Sequence, residues 1–366
     1  MKTNHILIIY LLFLTLLLVS PVKSEIAKAK ENQAECYIYV SVNKDKKIVT
    51  FKLDPKKEEL VFIGEQNLAG EPGSLCTDPF HKKMYVALRD MKSVGCLIID
   101  KKTGQLTHQT DTPVADNPVY ISTDNKGKFL FFASYSGNKV AVYPIMSYGV
   151  NQNPVQVINT RLNPHMIKTD PSGSFVFVTN KGSDYLQQFV FQNNGLLKPN
   201  NPEGIVFKNG SGPRHFTFNP SKNIMYVVNE LSCTVVACHF DKQKGTLTGQ
   251  FQEITTKPAD FKSYNTCADI HITPDGKFLY ASNRGHDSLA GFSVDTITGE
   301  LFPLGWFPTE KEPREFEIDP SGRFLIAAGE SSGNIALYKI LGNGSLSLVK
   351  TYEVGHWPVW VMALNN

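Results

Sequence analysis

The sequence lacks the features that mark most metal-binding and nucleic-acid-binding proteins. Its six cysteines include no CxxC pair and no Cys/His spacing suited to zinc, so neither a metal site nor a cofactor is expected. No long basic run with interleaved aromatic residues occurs, and 37 Lys and Arg against 34 Asp and Glu leave a net charge of +3. A nucleic-acid partner is therefore not expected.

Long apolar runs are absent after the N-terminus. At the N-terminus itself, Lys2 and His5 precede an apolar run over residues 6–19, and Val22 and Ser24 provide small residues before Glu25. The run is shorter than the roughly 20 residues needed to cross a bilayer, which predicts a signal peptide over residues 1–24 that is cleaved before Glu25. A secreted or periplasmic protein without membrane attachment is expected, and an uncleaved N-terminal anchor is the alternative.

The cysteine spacing suggests no compact disulfide framework. Most of the cysteines lie in strand-like runs, where buried free thiols are the expectation. Their positions are 36, 76, 96, 233, 238 and 267.

What the sequence does contain is an internal repeat of short strand-like segments. The segments begin near residues 38, 84, 130, 176, 225, 279 and 325, and they read IYVSVN, MYVALR, LFFASY, VFVTNK, MYVVNE, LYASNR and LIAAGE. Between them lie hairpin-like stretches and turns rich in glycine and proline. A period of about 46 to 54 residues fits four strands, which is the size of one propeller blade.

Seven copies predict an all-β, seven-bladed β-propeller over residues 36–366, preceded by a solvated leader over residues 25–35. The first copy has no strand before it, and the segment WPVWVMAL at residues 357–364 has no hairpin after it. We therefore expect the C-terminal strand to pair with the N-terminal strand and close the ring, which removes exposed sheet edges. The blades show neither the Gly-His nor the Trp-Asp signature of WD40 repeats.

Aligning the repeats predicts a ring of polar residues at one mouth of the central channel. The sixth positions of the seven segments are Asn43, Arg89, Tyr135, Lys181, Glu230, Arg284 and Glu330. The residues five positions before the turn that ends each innermost strand are Gly73, Val119, His165, Arg214, Ala268 and Arg314. Because the first and second strands of a blade are antiparallel, both sets face the same mouth. The excess of cations there suits an anionic ligand.

At these residues the chain resembles the propeller lactonase family, which includes bacterial 6-phosphogluconolactonase and fungal 3-carboxymuconate cyclase. The resemblance covers nearly everything from about Tyr37 to the C-terminus. Its most specific segments are GPRHFTFNP, YVVNELSCTV, ADIHITPDGKFLYASNR, EPREFEIDPSGRFLIAAG and WPVWV.

The resemblance implies a catalytic set of His165, Arg214, Glu230 and Arg284. Two departures from the family pattern stand out. The family often has a second histidine where this chain has Asn163, and it often has glycine where this chain has Glu315, which would add a negative charge near the mouth.

The leading hypothesis is metal-independent hydrolysis or closure of a lactone that bears an anionic group. Glu230 or His165 would move the proton, and two arginines, Arg214 and Arg284, would hold the acid group and the developing oxyanion. Four further residues are expected to contact the substrate: Arg314, Arg89, Lys181 and His215.

The sequence leaves the role of Asp269 open, because this residue could orient either His215 or His271.

The substrate is also open. Because 6-phosphogluconolactone belongs to cytoplasmic sugar metabolism, export makes an extracellular sugar or aromatic-acid lactone an equal candidate. The alternative function is an exported, non-catalytic propeller that binds a small anionic ligand or a partner protein.

The first testable prediction concerns the N-terminus. Because the apolar run is short and is followed by small residues, protein purified from an exporting host should begin near Glu25. Intact-mass measurement and N-terminal sequencing check this. An intact Met1 on soluble cytoplasmic protein would contradict it.

Overall fold

The computed structural model of the protein describes residues 35–365, and these form a seven-bladed β-propeller. The predicted signal peptide and leader residues 25–34 lie outside the described residues. Within the described residues, the regular structure other than strands is a single 3-10 turn, Lys181–Ser183. No helix in residues 35–365 is long and apolar enough to cross a membrane.

Each blade is one antiparallel sheet, and we number the blades 1 to 7 along the chain. Blade 1 holds β1 (Cys36–Val42), β2 (Lys47–Asp54), β3 (Glu59–Asn67) and the C-terminal β29 (Pro358–Asn365). Blade 2 holds β4 (Pro72–Thr77), β5 (Lys83–Leu88), β6 (Ser93–Ile99) and β7 (Leu106–Pro113). Blade 3 holds β8 (Tyr120–Thr123), β9 (Phe129–Ser134), β10 (Lys139–Met146), β11 (Gly149–Val150) and β12 (Gln156–Asn159).

The remaining four blades each contain four consecutive strands. Blade 4 holds β13 (Pro164–Thr169), β14 (Phe175–Asn180), β15 (Tyr185–Phe191) and β16 (Leu197–Val206). Blade 5 holds β17 (Pro213–Phe218), β18 (Ile224–Asn229), β19 (Thr234–Asp241) and β20 (Thr246–Thr255). Blade 6 holds β21 (Thr266–Ile272), β22 (Phe278–Arg284), β23 (Ser288–Val294) and β24 (Leu301–Pro308). Blade 7 holds β25 (Pro313–Ile318), β26 (Phe324–Gly329), β27 (Asn334–Ile340) and β28 (Leu346–Glu353).

The outer edge of blade 3 departs from the expected four-stranded pattern. Two short strands, β11 and β12, pair with different parts of β10 instead of one continuous fourth strand. The stretch Asn151-Gln152-Asn153-Pro154 separates them. Proline has no N–H to donate to the ladder, and asparagine favours turns, so this stretch interrupts the strand.

The ring closes as the sequence predicts. Strand β29 pairs antiparallel with β1, with Met362 opposite Tyr39 and Trp360 opposite Ser41. The innermost strand of blade 1 thus comes from the C-terminus, and its other three strands come from the N-terminal part of the propeller.

The apolar core lies between neighbouring blades. One buried cluster joins blades 1 and 7 through residues such as Val40, Val361 and Ile326. Another joins blades 5 and 6 through residues such as Val235 and Ala281. Because both faces of each blade are covered, these strands are almost continuously apolar.

The polar residue that ends most innermost strands has a structural role. Asp124 Oδ1 accepts hydrogen bonds from the backbone N–H groups of Lys128 and Phe129 at 2.6 and 2.7 Å. Asp170 and Asp319 each close the equivalent turn of their blades in the same way. The recurring aspartate therefore fixes the turn into the second strand.

β-Bulges at the start of the innermost strands aim side chains at the channel mouth. In blades 4, 5 and 7 the strand register skips one residue after the proline, and the skipped residues are His165, Arg214 and Arg314. A bulge leaves the extra residue outside the ladder and redirects its side chain. The bulges thus separate these three residues from the apolar core.

The second prediction follows from the closure. Deletion of residues 357–366 removes the partner of β1 and leaves an unpaired sheet edge, so the truncated protein should aggregate and unfold more readily. Size-exclusion chromatography and thermal melting by circular dichroism measure this. Deletion of residues 365–366 alone is the control, because β29 then keeps most of its pairs. A monomeric truncated protein with an unchanged melting midpoint would contradict the prediction.

Candidate functional site

The carboxylate of Glu230 lies at the centre of three cations from three blades. Lys181 Nζ is 2.6 Å from Oε1, Arg284 Nη2 is 3.3 Å from Oε1, and Arg214 Nε is 3.1 Å from Oε2. The Arg214 contact is close enough for an ion pair but does not have hydrogen-bond geometry. Glu230 follows β18 directly, and Lys181 occupies the equivalent position after β14.

Backbone carbonyls hold the two arginines in place. Arg214 Nη1 donates to the carbonyl of Ala268, and Arg284 Nη2 donates to the carbonyl of Cys267 at 3.0 Å. Arg214 is only 2% exposed. Burial, followed by the charge of Arg284, lowers the pKa of Arg214 to about 10, so it stays protonated at neutral pH.

The electrostatic environment keeps Glu230 ionised. Burial by itself would raise the pKa of this carboxyl, but the charges of Arg214, Arg284 and Lys181 outweigh it and lower the pKa below its ordinary value. A carboxylate with a lowered pKa and three cationic partners is a weak proton acceptor. The position of the Glu230 carboxylate suits a counter-ion that holds the three cations close together.

His165 lies beside this cluster and is 6% exposed. Its Nδ1 atom is buried and has no hydrogen-bond partner in the structure. Its ring makes edge contacts with Tyr135 and His215, with ring centroids 5.9 and 5.1 Å apart. Burial, then the charge of Arg214, lower the pKa of His165 well below its ordinary value, so the imidazole is neutral at pH 7.

A second cationic group lies on the other side of the mouth, near blade 1. Arg314 Nη1 is 3.2 Å from Glu330 Oε2, and Arg89 Nε donates to Asn117 Oδ1 at 3.4 Å. Within residues 35–365 Arg89 makes no ion pair, and both arginines line a polar pocket of about 240 Å³ together with Asn43. Burial, then the charge of Arg314, lower the pKa of Arg89.

Below the mouth, Asp269 links two histidines. His215 Nδ1 and His271 Nε2 lie 2.8 Å from its two carboxylate oxygens, and His271 Nδ1 lies 3.2 Å from Glu317 Oε1. Asp269 thus orients both histidines, not only one of them. His215 Nε2 in turn faces Arg214 Nη1 at 3.4 Å, which connects this chain to the mouth.

The pKa values of this lower layer follow from burial and pairing. Burial, then the charge of Arg214, lower the pKa of His215 to about 4. Burial by itself would lower the pKa of His271, but Asp269 and Glu317 outweigh it and raise the pKa well above its ordinary value. The layer therefore contains a neutral and a protonated histidine on either side of one carboxylate.

Glu315 does not add the negative charge that its place near the mouth suggests. Its side chain is 3% exposed and lies beside Asp269. Burial, then the charge of Asp269, raise the pKa of Glu315 well above its ordinary value, so the protonated form is favoured.

His215, Asp269 and Glu315 are also the described residues whose ligand atoms lie close enough together to hold a metal ion, within 4.8 Å of one another. The protein's own groups already occupy Asp269, which accepts from the two histidines and from the backbone N–H of Phe316. The cluster lines a second cavity of about 300 Å³ farther along the channel, with Tyr120 and Trp360 in its wall.

The structure brings the sequence-predicted residues together in two groups. Glu230, Arg214, Arg284 and Lys181 form the first, with His165 beside them. Arg89 and Arg314 form the second. His215 lies one layer deeper, 3% exposed beneath Arg214.

Sequence reasoning missed several residues of the mouth and of the layer below it. Tyr120, Asn117, Glu317 and Trp360 were not expected near the site. Tyr120 and Asp269 stand one position after the mouth residues in the repeat alignment, as His215 does. This next position in the repeat was therefore the available signal.

Comparison with known proteins shows which family the chain belongs to. The family model described as "Lactonase, 7-bladed beta-propeller" matches residues 22–120 and 109–363. The chain belongs to this family. It is 36% identical over 329 residues to a 6-phosphogluconolactonase of Serratia proteamaculans, covering 89% of this chain and 98% of the relative. A 6-phosphogluconolactonase of Yersinia pestis is 35% identical over 326 residues, covering 88% and 96%.

Solved structures of the family have the same fold. A Bacteroides fragilis protein that carries the 6-phosphogluconolactonase name superposes with a TM-score of 0.83 at 26% identity, covering 91% of this chain and 99% of that one. A periplasmic gluconolactonase of Pseudomonas aeruginosa superposes with a TM-score of 0.83 at 24% identity, covering 90% and 99%. The second likeness concerns the fold alone. Family and named relatives together support a lactone hydrolase.

The third prediction concerns His165. An anion bound at the mouth offsets the charges of Arg214, Arg314 and Lys181, which are among the causes of its lowered pKa. Inorganic phosphate should therefore raise the pKa of His165 toward its ordinary value, although burial keeps it below that value. Between the two pKa values, phosphate binding should be accompanied by proton uptake.

Histidine ring resonances followed by NMR across pH, with and without phosphate, measure this effect. His239 stacks on Phe251 in blade 5, and its resonances at fixed pH should not respond to phosphate. Phosphate binding that left the titration of His165 unchanged would contradict the prediction.

Proposed function

We propose that the protein is a metal-independent lactone hydrolase whose substrate carries an anionic group. The observation that carries this proposal is the excess of cations at one channel mouth, where six cationic side chains accompany four carboxylates. The cations are Lys44, Arg89, Lys181, Arg214, Arg284 and Arg314, and the carboxylates are Glu71, Asp90, Glu230 and Glu330. Such a mouth attracts an anion and repels a cation.

In this proposal the two pairs of arginines bind different parts of the substrate. Arg214 and Arg284 are fixed by carbonyls and Glu230, so they are pre-organised to stabilise the oxyanion that forms when water attacks the lactone carbonyl. Arg89 has no carboxylate partner within residues 35–365, and together with Arg314 it offers donors to a phosphate or carboxylate elsewhere on the substrate.

Proton transfer in this proposal falls to His165 more readily than to Glu230. His165 is neutral and lies beside the cationic cluster, and its Nδ1 has no hydrogen-bond partner within residues 35–365. As a general base it takes a proton from water as water attacks the carbonyl carbon, and it returns the proton to the leaving alkoxide as the ring opens. Substrate binding favours this step, because the bound anion raises the basicity of the imidazole.

The compartment narrows the substrate class. The relatives named 6-phosphogluconolactonase support a sugar lactone with a phosphate group. If the short apolar N-terminal run directs export, the substrate would be an anionic sugar or aromatic-acid lactone of an extracytoplasmic space. We propose that the enzyme is exported, and the support for this part of the proposal is the short apolar run near the N-terminus.

The fourth prediction tests the roles at the mouth with a panel of anionic lactones. His165→Ala should lower kcat by roughly 10² to 10⁴ while substrate binding survives. Glu230→Gln should also lower kcat, because it removes the counter-ion that holds Arg214 and Arg284 in place. Arg214→Lys should weaken binding as well as turnover, because a point charge cannot reproduce the planar fork of donors. Arg323→Lys, at an exposed arginine, is the matched control and should change neither. Chelator should not affect the wild type.

The pH profile distinguishes the two candidates for the base. A general base must be deprotonated, so activity falls as pH drops through its pKa in the free enzyme. If His165 is the base, this acidic limb of kcat/KM disappears in His165→Ala and persists in Glu230→Gln. Full activity in both variants would refute the proposed site, and binding without turnover of any lactone would favour a binding protein.

A further inference from the structure

Two thiols lie close together behind the candidate site. Cys233 precedes β19 in blade 5 and Cys267 lies on β21 in blade 6, and both belong to one buried cluster between these blades. Both are buried and free. One hydroxyl, Thr256 Oγ1, lies 3.0 Å from Cys267 Sγ and donates to the carbonyl of Cys233 at 3.0 Å, so it bridges the pair.

The surroundings of the two thiols are polar, although they belong to an apolar cluster. Cys233 Sγ lies 3.2 Å from the carbonyl of Asn265 and 3.3 Å from its Nδ2. Cys267 Sγ lies 3.5 Å from Asn283 Oδ1. This setting differs from that of Cys238, which is enclosed in the apolar core of blades 4 and 5.

The pair is also connected to the candidate site. The backbone N–H of Cys267 donates to the carbonyl of Glu230 at 3.0 Å, and its carbonyl accepts from Arg284. Cys233 ends the turn that begins at Glu230, and the exposed Leu231 lies within that turn. A link between the two sulfurs would therefore join the turn that carries Glu230 to the strand that anchors Arg284.

We propose that Cys233 and Cys267 form a disulfide between blades 5 and 6 when the protein meets a disulfide oxidant, and that this bond fixes the Glu230 turn. The sulfur of Cys233, as a thiolate, attacks one sulfur of the oxidant and expels one thiol. Cys267 then loses its proton and displaces the second thiol from the mixed disulfide. Two S–H bonds are lost, one S–S bond forms, and the oxidant is reduced to two thiols.

The difference in reactivity among the cysteines supports this assignment. The hydrogen bond from Cys267 is the largest cause that lowers the pKa of Cys233, to about 6. Burial raises the pKa of Cys36 and Cys238 to about 12 in each case. Cys233 is therefore the thiol best suited to begin the exchange, and it lies two residues after the exposed Leu231.

The test compares full-length protein refolded with oxidised glutathione and with a reducing agent. A thiol count in denaturant should give six free thiols after reduction and four after oxidation. Peptide mapping should find one cross-linked pair, residues 233 and 267. The oxidised form should melt on the order of 5 °C higher than the reduced form.

Two variants make the count specific to this pair. Cys233→Ser should give five free thiols under both conditions, and Cys36→Ser should give five after reduction and three after oxidation. Six free thiols in oxidised wild-type protein, or a cross-link between other cysteines, would overturn the proposal. The thiol count does not depend on lactone turnover, so it can fail while the proposed function stands, and the reverse also holds.

Discussion

The pairing of β29 with β1 is the constraint on which the candidate site depends. The cations at the mouth come from six blades, so their spacing is set by the closed ring and not by any single sheet. Arg89 and Arg314 belong to blades 2 and 7, which flank the closing blade 1. Like charges held this close repel one another. The hydrogen bonds between β1 and β29 within blade 1, and the apolar cluster that joins blades 1 and 7, oppose that repulsion.

Within the closed ring, Glu230 reduces the cost of bringing three cations together. Its carboxylate contacts Lys181, Arg214 and Arg284, and carbonyls supply further acceptors to both arginines. One negative charge does not neutralise three positive charges, so the cluster keeps a net positive charge that an anion can offset. The lowered pKa values of Arg214 and His165 are consequences of that uncompensated charge as well as of burial.

The repeat period was sufficient to predict the fold, the closure and the residues that share the mouth. Position within a repeat determines which end of the channel a residue faces, and that information is present in the sequence. The partners of these residues were not predictable in the same way. The carbonyls of Ala268 and Cys267 accept hydrogen bonds from the two arginines. The pattern of side chains in the sequence does not show which backbone carbonyls will accept such bonds. The protonated state of Glu315 depends on burial beside Asp269, which only the folded ring creates.

The pKa of Glu315 matters because this residue lies in the layer directly below Arg214. Arg214 lies between Glu230 above and the His215–Asp269 pair below. If Glu315 were ionised, a second carboxylate beside Asp269 would attract the guanidinium downward, away from the mouth. The raised pKa of His271 favours a positive charge beside Asp269, and the raised pKa of Glu315 disfavours a second carboxylate there. The negative potential of the lower layer is thereby kept small, and the donors of Arg214 remain available to an anion at the mouth.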